Sequence, residues 1–202
     1  QSIMALASAG NLATTQAVIS LLDERSVIPA ERKQTLLAAP TLFQVARLIG
    51  DTLKEVIRTQ AEEGQTAESA FGATIIVGGQ IKGMEPRLFL IYPEGNFIEA
   101  SNETPFFQAG ETKYGRPIIL RAFDPAMSFE DAIKLLYVSF DSTLKANLAV
   151  GMPLDLHAYE TNTFKTGIQR RIPSDDAYFR ATSSAWGDAL KAAIDELPDF
   201  NF

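Results

Sequence analysis

The spacing of apolar positions changes several times along the chain, and each change marks an element. Ser2-Ile3-Met4-Ala5-Leu6-Ala7-Ser8-Ala9-Gly10 is a short apolar run ending in small residues and glycine, which reads as a buried strand. Asn11 then stands as the N-cap of a helix in which Thr15, Val18, Ile19 and Leu22 share one face and which ends between Asp23 and Pro29. Leu42, Val45, Ala46, Ile49, Leu53, Val56 and Ile57 form a stronger helical stripe, leaving Arg47, Asp51, Lys54 and Glu55 to face water. This second helix runs to about Glu63, where Gly64 supplies the stop.

The period then shortens. Residues 71–79, 87–92 and 97–100 are β-rich runs, and Pro93-Glu94-Gly95-Asn96 is turn chemistry for a tight hairpin, so the region predicts an antiparallel meander. Residues 106–109 suggest one more short strand, 110–115 a loop and 116–123 a short helix. Ser128 with Asp131 approximates a capping box for a helix whose apolar face is Phe129, Ile133, Leu136, Phe140 and Leu144. Gly151 and Pro153 close it and introduce a strand at 154–160, where Leu154, Leu156 and Ala158 alternate with Asp155, His157 and Tyr159. A last helix from about Ser174 carries Trp186, Leu190, Ala193 and Leu197 before Pro198.

Runs of one element type followed by runs of the other favour an α+β fold over a doubly wound parallel sheet, with sheets packed on each other and helices over both outer faces. The length, 202 residues, predicts a single domain spanning 1–202, at roughly 150 residues per domain. No repeat, low-complexity tract or linker divides it. Gln1 leads straight into the first apolar run with no initiator Met, polar lead-in or basic region. Buried strands rarely begin a natural protein, so an N-terminal portion is expected to be absent from the chain.

Composition narrows the chemistry. With no cysteine, disulfides, thiolate metal sites and a catalytic cysteine within these residues are excluded, and a reducing compartment is the default. Eighteen Lys and Arg against 25 Asp and Glu give a formal charge of −7, which argues against a nucleic-acid partner. No apolar run is long enough to span a bilayer, so no membrane partner is expected and the chain reads as soluble and cytoplasmic. No cofactor and no metal site are expected.

His157, the sole histidine, lies on the polar side of its strand with no nucleophile motif near it. It reads as a surface or interface residue, which disfavours a Ser-His-Asp triad and two-histidine zinc sites. The glycine-rich stretch from Val77 to Gly83 leads into another strand and lacks the spacing and helix of a nucleotide fingerprint, so it reads as a hairpin turn. Asp141-Ser142-Thr143 reads as a solvated helix face, and Glu62-Glu63 and Arg170-Arg171 as ordinary surface.

Five strings taken together point further: Ser8-Ala9-Gly10-Asn11-Leu12-Ala13-Thr14-Thr15, the run from Phe71 to Gln80, the loop from Gly110 to Pro117, Ser139-Phe140-Asp141-Ser142-Thr143, and Asn147-Leu148-Ala149-Val150-Gly151. Their wording and order resemble proteasome-type β-subunits, and within them the bacterial Anbu, or ancestral β-subunit, family of proteasome-type proteases. The resemblance implies the N-terminal nucleophile hydrolase fold, a four-layer αββα sandwich, here lacking its first strands. It also implies identical subunits assembling into a ring or an open spiral that hydrolyses peptide or unfolded-protein substrates.

In that chemistry a chain-terminal threonine is the nucleophile, its own α-amine is the base, and an aspartate, a lysine and a backbone N–H complete the site. The resemblance places the threonine, aspartate and lysine in strands before the one that opens this sequence. Gln1 is not a nucleophile, and Lys33 lies in an inter-helix segment where the family lysine is not found. What carries over is Gly10 as the oxyanion N–H, Ser8 and Leu12 as walls of the primary specificity pocket with Gln16 one turn further along the helix, and Gly110 in a loop near the active centre. Asn147 falls where the wider group has a supporting aspartate, Val150 where it has a serine, and Ala109 where serine is frequent. Gly10 also reads simply as a strand-to-helix turn, and Asn147 as a helix C-cap. A non-catalytic assembly or binding subunit is the alternative to a peptidase. A generic α+β domain binding a small molecule is a third reading.

Overall fold

The computed structural model describes residues 1–27, 35–64 and 67–202; Pro29 and Lys33 lie outside the described residues. Two compact units result: Gln1–Gly110 with Tyr159–Thr166, and Glu111–Ala158 with Gly167–Phe202.

The first unit contains β1 (Ser2–Gly10), α1 (Leu12–Val27), α2 (Leu42–Gly64), β2 (Ala73–Ile81), β3 (Arg87–Ile91) and β4 (Phe97–Glu99). The strands form one antiparallel sheet in the order β1-β2-β3-β4, with Gly10 opposite Ala73, Ile75 opposite Ile91 and Leu90 opposite Ile98. All seven residues of the α2 stripe are buried, against Val18 and Leu22 of α1 and the inward residues Ile75, Val77, Phe89 and Ile91 of the sheet. Each such aliphatic side chain contributes about 1.5–3 kcal/mol of transfer free energy, so α2 is the principal anchor of this unit. Polar contacts fix how α1 lies on α2. Thr14 Oγ1 donates to Gln60 Oε1 at 2.7 Å, and Arg25 reaches Thr52 Oγ1 at 2.6 Å and Glu55 at 3.2 Å. The hairpin at 93–96 closes where expected, with Gly95 N–H donating to Tyr92 O and Tyr92 N–H to Asn96 O, both at 2.9 Å.

Buried Gln80 fastens residues 159–166 to this unit. Its Nε2 donates to Met84 O and Asn162 Oδ1, and its Oε1 accepts from Tyr159 Oη at 2.6 Å and from Asn162 N–H at 2.8 Å. All four hydrogen-bonding positions of the amide are therefore used.

Three expectations for this unit need correction. β1 is the edge of the four-stranded sheet, with β2 its one partner among the described residues, and Ala5, Leu6, Ala7 and Ser8 are all exposed. Ile19 is exposed although Thr15, Val18 and Leu22 are buried, so the buried stripe of α1 is narrower than its apolar pattern. Residues 106–109 form no strand: their apolar run finds no ladder among the described residues.

The second unit contains α3 (Arg116–Ala122), α4 (Phe129–Ala146), β5 (Leu154–Ala158), β6 (Ile168–Ile172) and α5 (Ala177–Asp195). Ser128 caps α4, its Oγ accepting from Asp131 N–H at 3.1 Å, and Asp176 caps α5 by accepting from Phe179 N–H at 2.8 Å. β5 and β6 pair antiparallel, Leu156 opposite Arg170. β5 alternates as expected, with Asp155 and His157 on the exposed side. A small core of Tyr137, Ile172 and Phe179 gathers Ile133, Leu144, Leu154 and Leu156 around it.

Here the pattern misleads more. β6 is not predicted, since its centre is the exposed pair Arg170 and Arg171. On α4, Ile133 and Leu144 pack inward, but Phe129, Leu136 and Phe140 are exposed while Ser139, Asp141 and Thr143 are buried. The reason is the close approach of α3: a Cβ on Gly115 would stand 2.2 Å from Ser139 Oγ and 3.0 Å from Thr143 Oγ1, so small residues are required on that side of α4. Asp141, on the far side of α4 from Ser139 and Thr143, is also buried, not solvated, and is paired with Lys145 at 2.8 Å. Leu190 of α5 and Leu197, past its end, are exposed, and Phe179 near the start of α5 makes the buried contact.

Candidate functional site

Gly10 ends β1 with φ +110°, a conformation an L side chain rarely adopts, and α1 starts two residues later. The turn is held from several sides. Asn11 N–H donates to Gly72 O at 2.9 Å, Asn11 Nδ2 to Ala70 O at 3.1 Å, and Asn11 Oδ1 accepts from Thr14 N–H at 3.1 Å as the expected N-cap. A Cβ at position 10 would lie 2.5 Å from Gly72 O and 2.9 Å from Ala73 Cα. Glycine is thus demanded by the fold itself, independently of any chemistry at its N–H.

Ser8, Gly10 and Leu12 are all exposed around this turn, Ser8 on the same face of β1 as Gly10 and Leu12 as the first residue of α1. Gly110, with φ +81°, packs on the other face of the same strand: a Cβ there would be 3.2 Å from the Ala9 Cβ, and Ala9 points away from the side of β1 that Ser8 and Gly10 share. Ser8, Gly10 and Leu12 thus lie together at the turn, with Gly110 behind it. None of these four residues has an ionisable side chain, so they contain no general base.

Asn147 belongs to the second unit and is the C-cap residue of α4. Its N–H donates to Thr143 O at 2.9 Å, its Oδ1 accepts from Ala149 N–H at 2.9 Å, and its Nδ2 donates to Glu111 Oε2 at 2.8 Å. Glu111 directly follows Gly110, and its link to Asn147 is not visible in a sequence where 36 positions separate them. The Lys113 backbone N–H, and after it the Asn147 amide, hold the Glu111 carboxyl below the ordinary carboxylate range. No cluster of three or more metal-ligating side chains occurs among the described residues, and no helix of the described residues is long and apolar enough to cross a membrane.

No family model matches the chain, and no curated protein matches it significantly. Solved structures do. Anbu (ancestral β-subunit) from Yersinia bercovieri is 40% identical, with a TM-score of 0.91 over 100% of this chain and 83% of that one. This chain belongs to the Anbu family. An Anbu Gly-1 mutant from Hyphomicrobium sp. strain MC1 is 48% identical with a TM-score of 0.90, covering 100% of this chain and 82% of that one. The Pseudomonas aeruginosa Anbu complex, solved as a helical assembly, is 38% identical with a TM-score of 0.90, covering 100% and 82%. The mixed helix and sheet architecture is thus that of the Anbu proteins, and the chain is a proteasome-related subunit.

Proposed function

We propose that this Anbu-family chain is a subunit of a self-compartmentalising, proteasome-like threonine peptidase acting on peptides or unfolded protein in the cytoplasm. In this reading Gly10 supplies the oxyanion donor, and Ser8, Leu12 and Gly110 shape the substrate site. The observation that carries it is the exposed β1–α1 turn, with Gly10 at φ +110° and Gly110 packed on the adjoining Ala9. A glycine N–H at an open strand exit leaves room for a substrate backbone to approach, which a side chain would deny.

The chemistry follows from the nucleophile. The threonine hydroxyl passes its proton to the α-amine as its oxygen adds to the peptide carbonyl carbon, and the Gly10 N–H stabilises the resulting oxyanion. Collapse breaks the C–N bond, the amine proton leaves with the departing peptide, and water then hydrolyses the ester. Gln1 is not such a threonine. The proposal therefore gives these residues the receiving half of the site and the nucleophile to strands that precede β1 in the complete protein. Assembly of identical subunits into a ring or open spiral is part of the same reading, supported by the helical assembly of the P. aeruginosa relative.

One observation favours a second reading, a non-catalytic assembly or binding subunit. Asn147, at the position where the resemblance expects an aspartate, spends both ends of its amide on Ala149 and Glu111. Intact mass of the purified protein, before and after a threonine-directed covalent inhibitor, with a peptide-hydrolysis assay, separates the two. The peptidase reading predicts a single adduct per subunit and loss of hydrolysis. Large particles with no adduct and no turnover support the scaffold.

A further inference from the structure

Several carboxylates of the second unit are neutralised by a neighbouring cation, as Asp141 is by Lys145 and Asp176 by Arg170. Half-buried Glu111 is held differently. Its Oε1 accepts from the Lys113 backbone N–H at 2.7 Å and its Oε2 from Asn147 Nδ2 at 2.8 Å, and it makes no ion pair among the described residues. Two neutral donors therefore hold an uncompensated negative charge against the C-cap of α4, in the residue bonded to Gly110.

This contact decides how the Asn147 amide is turned. An amide can present its oxygen or its NH2 group in the same direction, and a carboxylate, which only accepts, settles the choice. Glu111 takes the NH2 end, while the Ala149 N–H donates to the oxygen at 2.9 Å. Each bond uses one of the two positions at its end, so one Oδ1 lone pair and one Nδ2 hydrogen remain for a further partner. Hydrogen bonds in series polarise one another, so an amide that donates to a carboxylate is the stronger acceptor at its oxygen.

We infer that Glu111 is a positioning residue of the peptidase: acting through Asn147, it turns and polarises the amide so that Oδ1 accepts from the ammonium formed when the nucleophile's α-amine takes up the hydroxyl proton. The negative charge expected at position 147 is thus kept and moved one hydrogen bond outwards, to Glu111. The inference rests on the peptidase reading, which sets position 147 in support of the nucleophile.

Steady-state hydrolysis of a peptide by four complete proteins tests it: the natural sequence, Glu111→Gln, Asn147→Asp, and the chain bearing both. In Glu111→Gln an NH2 group meets one of the two donors that the carboxylate served. In Asn147→Asp two carboxylates face each other. In the combined chain the new amide at 111 donates to the new carboxylate at 147 and still accepts from the Lys113 N–H, so every bond is restored and the charge returns to position 147. Each single substitution is expected to lower kcat about ten-fold or more with KM little changed, and the combined chain to recover to within about three-fold of the natural protein. Circular dichroism and melting temperature check folding, rates are compared well below the melting transition, and Glu111→Ala, which frees the Asn147 amide, replaces Glu111→Gln if that fails to fold. Single variants that lose melting temperature but keep kcat, or a combined chain no faster than the slower single variant, overturn the role of Glu111 while the peptidase stands. A natural protein that forms no adduct with a threonine-directed inhibitor and hydrolyses no peptide overturns the peptidase reading, and this role with it.

Discussion

Replacing Gly10 with alanine is the perturbation whose cost is most directly readable from the coordinates. The added methyl meets two separate penalties. A residue at φ +110° pays about 1–3 kcal/mol for leaving the allowed regions. The Cβ would also stand 2.5 Å from Gly72 O and 2.9 Å from Ala73 Cα, both backbone atoms of the paired strand start, and such overpacking costs about 1–3 kcal/mol more. The sum is about 2–6 kcal/mol, which for a chain of this size corresponds to a fall in melting temperature of roughly 4–24 °C. Urea or thermal unfolding of the Gly10→Ala protein beside the natural one measures it. A loss below about 1 kcal/mol would refute the geometry of the turn, since neither penalty would then be paid. The same reasoning fixes how activity data on this variant are to be read: lost turnover in a protein already distorted at β1 says nothing about the Gly10 N–H as an oxyanion donor.

Two further outcomes follow from polar groups whose partners are known. Gln80→Glu turns two donated hydrogen bonds into carboxylate facing Met84 O and Asn162 Oδ1 in a buried site, and should cost about 2–4 kcal/mol at neutral pH. Burial and those oxygens raise the folded pKa of the new carboxyl above its unfolded value of about 4.3, so the deficit should shrink as pH falls through the raised value; urea midpoints at pH 5 and 7 that differ no more than those of the natural protein would contradict this. Glu111 has the opposite sign: its folded pKa is depressed, so its contribution is present above the unfolded pKa and lost as pH falls through the folded one. A carboxyl NMR titration should place Glu111 below the ordinary glutamate value, and Asn147→Ala should move it upwards.

Legibility in the sequence tracked how many partners an element needs. The α2 stripe has one neighbour layer and a wide apolar face, and all seven positions are buried as the spacing predicts. Local chemistry was equally readable, as in the caps at Asn11 and Ser128 and the turn at Gly95, because each is decided within a few residues. On α4 the apolar stripe was visible, but which side α3 approaches was not; Gly115 against Ser139 and Thr143 decides that and buries those two small side chains, while Phe140 stays exposed. Strand β6 escaped because its pattern is supplied by pairing with β5, not by alternation of its own. At the site, the strand-to-helix turn that holds Ser8, Gly10 and Leu12 is local and legible in the sequence, whereas the packing of Gly110 on Ala9 joins distant positions. The Asn147–Glu111 link is likewise assembled from distant positions and left no trace in spacing.

The account turns on whether the Gly10 N–H receives the oxygen of a tetrahedral adduct. A structure of the complete protein bound to a peptide boronate on its threonine is the direct measurement. The proposal predicts a boronate oxygen about 2.7–3.1 Å from the Gly10 nitrogen, with the adjoining side chain of the peptide between Ser8 and Leu12. An adduct whose oxygens all point away from Gly10, or a protein that forms no adduct at saturating boronate, contradicts it.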